Sequence, residues 1–357
     1  MSASLTLRHR LLLAAGSTAA VALVLTGCTS NTPAPASTAG SSASAAAPGA
    51  VSNNDAPGDK VRIGFSAPAA DHGWIAAITT NARNQAGKHS EVTLQAVEGS
   101  NDVNQQISQV QTLLDKKVDA LVILPFDGKA LTEIAIKAME AGIPVINLDR
   151  VFASPRGSRT WIGGDNYGMG VAAGRYVGEQ LKAKGVAAPV IAEIQGIANL
   201  PLTQDRSKGF ADALATYGLK VSRQVSAEFT VESGQKVTAD LLQAAPKLDA
   251  VWNHDDDQGV GVLAAISQAK RSEFIMVGGA GSRNAMDAIK ADNTVLKATV
   301  IYPSTQGADG VKLARLLAQG KGMSDLVDGE VPRTVQLYAP IVTKENVDQY
   351  LPIGFAS

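Results

Sequence analysis

The sequence has only one cysteine and no excess of charge of either sign. A single cysteine in 357 residues excludes an internal disulfide framework and a cysteine-based zinc site. The 32 basic and 33 acidic residues give a formal net charge of -1, and no local block of Lys and Arg stands out. Because a phosphate backbone is bound through basic surface, we predict that nucleic acid is not a partner.

The remaining composition is that of a globular protein. Hydrophobic residues make up 45% of the chain and charged residues 18%. At this length, the chain can form one large domain or two ordinary domains with substantial cores.

The N-terminus carries the pattern of an export signal. Basic residues at positions 8–10 precede an apolar run over residues 11–25 that is too short to span a bilayer comfortably. The run ends in LTGC, which resembles the bacterial lipoprotein box, in which the cysteine is lipidated and begins the mature chain. We predict a signal peptide over residues 1–27 and a lipid anchor on Cys28, attached through acyl chains. The alternative is an ordinary signal peptide with a chance cysteine.

Residues 28–59 form a Ser-, Ala- and Pro-rich segment with no apolar period. Such a composition cannot bury enough surface to offset its ordering entropy, so we predict a flexible tether. The folded part is expected to begin near Lys60. The lipid anchor would then be the only contact with the membrane.

From Lys60 onward, short apolar runs alternate with segments of helical spacing. The runs VRIGFS, VTLQAV, ALVILP, PVINLD, TWIGGD, VIAEIQ, AVWNHD, FIMVGG and LKATVI each end in a polar or glycine turn. This alternation predicts an α/β protein with doubly wound parallel sheets, in which ligands bind at the carboxyl ends of the strands.

Two segments of the chain match each other. The sequence KVDA begins at residue 117 and KLDA begins at residue 247, and in each segment a second aspartate lies eight residues after the first, Asp127 after Asp119 and Asp257 after Asp249. The match is short, and a generic strand-loop-helix unit is the alternative explanation. We interpret it as a sign of two similar lobes.

Five segments, in order, resemble periplasmic sugar-binding proteins of the ribose-binding type. They read VRIGFSAPAADHGW, AGIPVINLDR, GGDNYGMGVAAG, EIQGIANLPLTQDRSKGF and VWNHDDDQGVGVLAAI. The family serves ABC transporters and shares its fold with the effector domains of LacI-type repressors. The resemblance covers residues 60 to about 341. With an export signal and no DNA-binding segment, we expect a binding protein rather than a repressor.

The resemblance implies a type I periplasmic binding protein fold with two lobes joined by a three-strand hinge. One lobe would hold residues 60–163 and 303–336, and the other residues 164–302 and 337–357. Ligand contacts with both lobes would favour a closed form that is presented to a membrane permease. We expect a monomer without a cofactor.

Acids, arginines and aromatics together suit a sugar or polyol. Carboxylates accept hydrogen bonds from hydroxyls, guanidinium groups donate, and aromatic rings cover C–H faces. By resemblance, Asp149 and Arg150 match the ligand-binding Asp-Arg pair, Arg206 a second arginine and Phe229 an aromatic wall. The alternatives are a strand-end ion pair, a surface arginine paired with Asp205, and a core phenylalanine.

The first loop offers Asp71, His72 and Trp74 where family members have Asn and Phe. Trp74 would stack on the sugar ring, and Asp71 or His72 would bind a hydroxyl. Alternatively, Asp71 caps the helix that begins near Trp74. Asp127 is expected to cap the next helix rather than to bind ligand.

The stretch VWNHDDDQGV places a histidine before three consecutive aspartates. By resemblance, Asp255 and Asp256 bind ligand, which leaves Asp257 to cap the following helix. A metal is the rival partner, because His254 and three carboxylates are suitable ligands. Successive residues of an extended strand point to opposite faces, so the four side chains would not converge, and we predict no metal.

Two positions depart from the family pattern. Ala280 stands where ribose-type proteins have an aspartate, and Tyr302 stands in place of an amide that would bind ligand. We assign Tyr302 to the ligand site, and ribose itself is a doubtful ligand.

The other hypotheses are an exported carbohydrate-active enzyme with His254 or His72 in its site, and a sugar sensor. The sequence has no recognisable catalytic signature, so we predict that the protein is not an enzyme.

Overall fold

The computed structural model describes residues 54, 56–323 and 331–357. The predicted signal peptide, Cys28 and most of the predicted tether lie outside these residues. Within the described part of the chain, no helix is both long and apolar enough to cross a membrane.

Twelve strands form two six-stranded sheets in the described residues. The strands are β1 (Val61–Ser66), β2 (Val92–Ala96), β3 (Ala120–Ile123), β4 (Val145–Leu148), β5 (Thr160–Gly164), β6 (Ile191–Gln195), β7 (Arg223–Ser226), β8 (Ala250–Asn253), β9 (Ile275–Ala280), β10 (Leu296–Ile301), β11 (Thr334–Leu337) and β12 (Ile341–Thr343).

Ten α-helices connect and cover these strands in the described residues. They are α1 (Gly73–Ala86), α2 (Val103–Asp115), α3 (Thr132–Glu140), α4 (Asn166–Ala183), α5 (Pro201–Ala215), α6 (Val231–Ala244), α7 (Asp256–Gln268), α8 (Arg283–Ala291), α9 (Gln306–Ala318) and α10 (Val347–Tyr350).

The two sheets have the same strand order. Lobe 1 is built on β11-β5-β4-β3-β1-β2, covered by α1, α2, α3 and α9, and lobe 2 is built on β12-β10-β9-β8-β6-β7, covered by the remaining helices. All neighbouring strands run parallel except β12, which is antiparallel to β10. The fold is therefore two parallel-sheet α/β lobes of one architecture, as predicted, with one antiparallel edge strand that was not predicted.

Both faces of each sheet are buried, because successive strand residues point to opposite sides. In β3, Ala120 and Val122 contribute to one apolar cluster, and Leu121 contributes to another. In β8, Trp252 and Val251 divide between clusters in the same way. Continuous apolar runs in the sequence thus correspond to strands that are covered by helices on both faces.

The described chain passes between the two sheets three times. The passages run from β5 to α4, from β10 to α9 and from β11 to β12. The first two lie very close together, since a Cβ atom added to Gly164 would come within 2.1 Å of the Tyr302 ring. Glycine at this position therefore allows the second passage to place a large side chain beside the first.

Candidate functional site

Most of the predicted ligand residues meet at one cavity between the lobes, which we call the interlobe cavity. Its volume is about 20 Å³, which is room for roughly one water molecule. Eight of the ten predicted residues line it, and Asp71 and Asp256 do not. The lining consists of His72, Trp74, Ile75, Asp149, Arg150, Leu202, Arg206, Phe229, Asp255 and Tyr302.

The lining residues converge because they follow the carboxyl ends of parallel strands. Asp149 follows β4, Phe229 follows β7 and Asp255 follows β8. Asp149 and Phe229 have backbone φ angles of 56° and 63°, in the left-handed region. For a bulky residue such as Phe229 this conformation costs about 1–2 kcal/mol and persists only where the surroundings hold it. The backbone N–H of Phe229 donates to Gln258 Oε1 at 3.2 Å, which helps to fix it.

Asp149 and Arg150 lie side by side on lobe 1. Arg150 Nε is 3.9 Å from Asp149 Oδ2, and Arg150 Nη1 donates to the carbonyl of Phe126 at 2.6 Å. Burial lowers the pKa of Arg150, and the Asp149 charge opposes that shift. Arg150 Nε is buried and has no hydrogen-bond partner among the described residues. Because an unpaired buried donor is costly, this atom is suited to bind a ligand oxygen.

Arg206 lies inside lobe 2 and is 3% exposed, so it is not a surface partner of Asp205. Its Nε donates to Asn166 Oδ1 at 2.9 Å and its Nη1 to the His254 carbonyl at 3.1 Å. Its guanidinium carbon lies 4.6 Å from the centre of the Tyr302 ring. These contacts hold the planar guanidinium group in one orientation at the cavity.

The sequence analysis missed Asn166. Its amide contacts both Arg206 and Tyr302, with Nδ2 donating to the Tyr302 hydroxyl at 3.2 Å. Asn166 is the first residue of α4, directly after the first passage between the lobes. The sequence feature that could have identified Asn166 is a polar residue directly after the glycine turn at residues 163–165.

Tyr302 contacts both lobes. Its hydroxyl donates to Asp149 Oδ1, and its carbonyl accepts from Trp74 Nε1 at 3.1 Å. The rings of Trp74 and Tyr302 have their centres 5.4 Å apart. Burial raises the pKa of the phenol, and the Asp149 charge adds to that shift, so the hydroxyl stays protonated. The backbone N–H of Tyr302 donates to Ala280, which is buried at the end of β9.

Asp71 lies just outside the interlobe cavity. Its carboxylate accepts from Asn101 Nδ2 at 2.7 Å and lies 2.5 Å from His72 Nδ1. The residue at the N-terminal cap of α1 is His72, whose side chain makes no capping hydrogen bond. The alternative role of Asp71 as the cap of this helix was therefore wrong. Asp71 orients His72, and His72 lines the cavity.

Asp255 is the cap of α7, where Asp257 had been expected. The Asp255 carboxylate accepts from the backbone N–H groups of Asp257 at 2.8 Å and Gln258 at 3.2 Å. Burial, followed by the neighbouring charges of Asp257 and Asp256, raises its pKa well above the ordinary value. Asp255 thus caps its own helix with one oxygen and lines the cavity as well.

Asp257 reaches across to the other lobe. Its Oδ2 accepts from the backbone N–H of Trp74 at 2.9 Å, in the first turn of α1. The side chain is buried, and burial raises its pKa while the hydrogen bond from Trp74 lowers it. Because α1 has no capping side chain of its own, a carboxylate from lobe 2 supplies that interaction.

Asp256 does not reach the interlobe cavity. Its two oxygens accept from the Thr299 hydroxyl and from three backbone N–H groups at 2.8 to 2.9 Å, those of Gly279, Gly281 and Ser282. Burial raises its pKa to about 7, against the effect of these donors. The carboxylate joins the ends of β8, β9 and β10, and it stands apart from the residues that line the cavity.

His254 points away from the three aspartates. Its Nε2 lies 2.8 Å from Glu193 Oε1, and both side chains are buried. Burial lowers the pKa of His254. Burial also opposes ionisation of Glu193, but the hydrogen bond with His254 holds its pKa below the ordinary value. Residues 254–257 therefore have four different partners, and the described residues contain no group of three acidic, histidine or cysteine side chains that would hold a metal.

A larger cavity adjoins the interlobe cavity and shares Asp149, Arg150 and Leu202 with it. Its volume is about 610 Å³, within the usual range for ligand sites. Trp161 and Tyr167 give it aromatic surface, on β5 and at the start of α4. The small cavity is thus the inner end of a wider cleft between the lobes.

Comparison with known proteins agrees with this architecture. A family model described as a periplasmic binding protein domain matches residues 63–322. The D-ribose/D-allose-binding protein of Pseudomonas aeruginosa is 28% identical over 252 residues, which cover 69% of this chain and 78% of the relative. The ribose import binding protein RbsB of Bacillus subtilis is 28% identical over 276 residues, covering 77% of this chain and 87% of the relative.

A solved structure shares the fold over nearly its whole length. It is an ABC transporter solute-binding protein from Mycobacterium smegmatis with bound glycerol. The TM-score is 0.73 at 27% identity, and the alignment covers 83% of this chain and 99% of that protein.

Proposed function

This chain belongs to the periplasmic binding protein domain family, and from that premise we propose that it is an extracytoplasmic solute-binding protein of an ABC transporter. It captures a sugar or polyol in the cleft between its lobes and delivers the ligand to a membrane permease. Binding favours the closed form, since the ligand contacts both lobes at once.

The observation that carries the proposal is the set of side chains at the interlobe cavity. Asp149 and Arg150 from lobe 1 face Arg206 and Asp255 from lobe 2. The carboxylates accept from hydroxyl groups, and the guanidinium groups donate to them. The unpaired Nε of Arg150 offers a donor that a hydroxyl oxygen would satisfy. Trp74 adds an aromatic surface for C–H groups.

The relatives support a binding protein over an enzyme. The Pseudomonas and Bacillus proteins are named for the binding of ribose or allose, and the Mycobacterium protein was solved with glycerol. A sensor that presents the same closed form to a receptor is the second candidate, because the cleft chemistry serves both roles equally.

We extend the proposal to the location of the protein. Export through the signal over residues 1–27, lipidation of Cys28 and a flexible tether would hold a monomeric binding protein at the outer face of the cell membrane. Mass spectrometry of the protein from membranes would detect the lipidated Cys28. A mature chain without lipid on Cys28 would contradict the anchor.

The test of the binding function uses the mature chain from residue 28 with Cys28→Ser, to remove the anchor. Its thermal midpoint is measured against pentoses, hexoses and polyols, because a ligand that binds only the folded state raises the midpoint. We expect a clear shift with at least one compound, and loss of that shift in Asp149→Asn. Glu140→Gln, at an exposed ion pair, serves as the matched control and should respond like the unmutated chain. No shift with any compound, or turnover of a glycoside, would contradict the proposal.

A further inference from the structure

Tyr302 occupies the inner end of the cleft. It lies on the second passage between the lobes, directly after β10, and is 3% exposed. Its ring rests against the backbone of Gly164, where even one added carbon would collide with it. A large side chain therefore fills space at the point where the two lobes join.

The phenol makes contacts of the kind that a ligand would make. Its hydroxyl occupies one oxygen of Asp149 and accepts from Asn166 at 3.2 Å. Its ring lies between the Trp74 ring, with centres 5.4 Å apart, and the Arg206 guanidinium group, 4.6 Å from the ring centre. Part of the hydrogen-bonding and stacking capacity of the site is thus taken by the protein itself.

Tyr302 is firmly held. Asp149 and Trp74 belong to lobe 1, Asn166 and Arg206 belong to lobe 2, and Gly164 closes the remaining edge. Rotation of the ring out of the cleft would break all of these contacts together. The ring therefore acts as a fixed wall of the site.

A fixed wall limits the size of the ligand. With Tyr302 in place, the interlobe cavity has a volume of only about 20 Å³. The adjoining cavity of about 610 Å³ shares Asp149 and Arg150 but not Arg206 or Asp255, so ligand atoms that contact Arg206 and Asp255 have to fit at this inner end. Each further carbon placed there has to be accommodated by wider separation of the lobes, which weakens contacts that depend on closure, such as the hydrogen bond from Trp74 to Asp257 at 2.9 Å. A compact ligand keeps more of these contacts than a bulky ring.

We propose that Tyr302 is a size-determining residue that selects short polyols and small sugars over hexopyranoses and inositols. This inference rests on the proposed function and specifies its ligand class. The second oxygen of Asp149 and the Nε of Arg150 are 3.9 Å apart, too far for a hydrogen bond, and remain available to the hydroxyls of a short ligand. Tyr302 provides the apolar end against which the carbon chain lies.

The test compares Tyr302→Gln, Tyr302→Phe and the unmutated mature chain, all with Cys28→Ser, by titration calorimetry. The probes are glycerol, erythritol, xylitol, ribose, glucose and myo-inositol. We expect the unmutated chain to prefer the short polyols or ribose over glucose and myo-inositol by about tenfold or more. Tyr302→Gln should improve binding of the two larger ligands about tenfold, whereas Tyr302→Phe should keep the ranking, because it keeps the ring. Tyr338→Gln, at an exposed tyrosine, is the matched control and should behave like the unmutated chain.

Two outcomes separate this inference from the proposed function. If the unmutated chain binds glucose or myo-inositol as tightly as the short ligands, or if Tyr302→Gln leaves the ranking unchanged, the size-determining role is overturned while the binding function stands. If no sugar or polyol of any size binds to any variant, the proposed function itself fails. Should Tyr302→Gln fail to fold, the ranking of the unmutated chain still overturns the inference if glucose or myo-inositol binds as tightly as the short ligands.

Discussion

The loops that follow β3 and β8 start from the same framework and end with different tasks. Asp119 directly precedes β3, and its Oδ2 accepts from the backbone N–H of Arg62 at 2.6 Å. Asp249 directly precedes β8, and its Oδ2 accepts from the backbone N–H of Val190 at 2.7 Å. Each aspartate thus ties its strand to the neighbouring strand of the same lobe, and the two lobes repeat this connection.

Eight residues later the two loops differ. Asp127 is exposed, and its carboxylate accepts from the backbone N–H of Ala130 at 2.9 Å, in the turn that precedes α3. It stabilises this turn, and the residue at the cap of α3 is Leu131. Asp257 is buried and accepts from Trp74 in the other lobe. The repeated positions near the start of each strand have the same structural role, whereas of the two positions after the strands Asp257 contacts the other lobe and Asp127 contacts its own turn.

The largest effect on stability is expected from substitution of Asp256. In the match between the two segments, the residue of the first loop at the same position is Phe126. Asp256→Ala would leave three backbone N–H groups and one hydroxyl without their buried acceptor. We expect the free energy of unfolding to fall by about 3–5 kcal/mol, measured by urea denaturation. Asp127→Ala removes one exposed turn contact and should cost only about 1 kcal/mol. Similar costs for the two variants would mean that the loops do not differ as described.

The second loop also positions Arg206, which we propose binds the ligand, since the His254 carbonyl accepts from it. The planar guanidinium group of Arg206 donates to the His254 carbonyl and to Asn166 at the same time. Lysine has no planar group that could make both hydrogen bonds, so Arg206→Lys should weaken binding of the sugar or polyol about tenfold to hundredfold. Titration calorimetry measures the change. Arg156→Lys, in an exposed ion pair, is the matched control and should bind as the unmutated chain does. Unchanged affinity in Arg206→Lys would remove Arg206 from the site.

The two loops should also respond differently to pH. The raised pKa values of Asp255, Asp256 and Asp257 mean that the folded state holds their protons more tightly than the unfolded state. The free energy of unfolding should therefore fall as the pH rises from the ordinary value, about 4, through the raised values. Asp257→Asn keeps an acceptor for Trp74 and removes one of the three carboxyl groups with a raised pKa, so the fall should be smaller.

Urea denaturation over a range from about pH 4 to 8 measures this dependence. Asp127→Asn, which removes one exposed carboxyl of the first loop, is the matched control. An equally steep fall in Asp257→Asn would show that Asp257 does not contribute to it.

Much of the fold could be predicted from the sequence because strands covered on both faces are continuous apolar runs. Nine strands correspond to such runs, and their shared carboxyl edge predicts that the residues after them meet. β7, β11 and β12 were not predicted. They lie at sheet edges, are only three or four residues long, and none of them is buried along its whole length, so they lack the continuous apolar signal.

Individual partners within the site could not be predicted in the same way. Asp257 and Trp74 are separated by 183 residues, and no local pattern indicates that a carboxylate of one lobe binds a helix of the other. The cap of α7 was assigned to Asp257 instead of Asp255 for this reason. Either residue can cap α7 by its position, and only the packing of the two lobes decides which of them does.

The smallest effect expected is a difference between the two framework aspartates. Asp119→Ala and Asp249→Ala each remove one acceptor of a backbone N–H at a strand start, and each should cost about 1 kcal/mol of unfolding free energy. Asp249 is less exposed than Asp119, with side-chain exposures of 13% and 39%, so its loss should be slightly the larger. Urea denaturation of both variants measures the difference. A large loss of unfolding free energy in only one of the two variants would mean that Asp119 and Asp249 stabilise their lobes to different extents, as the loops after them do.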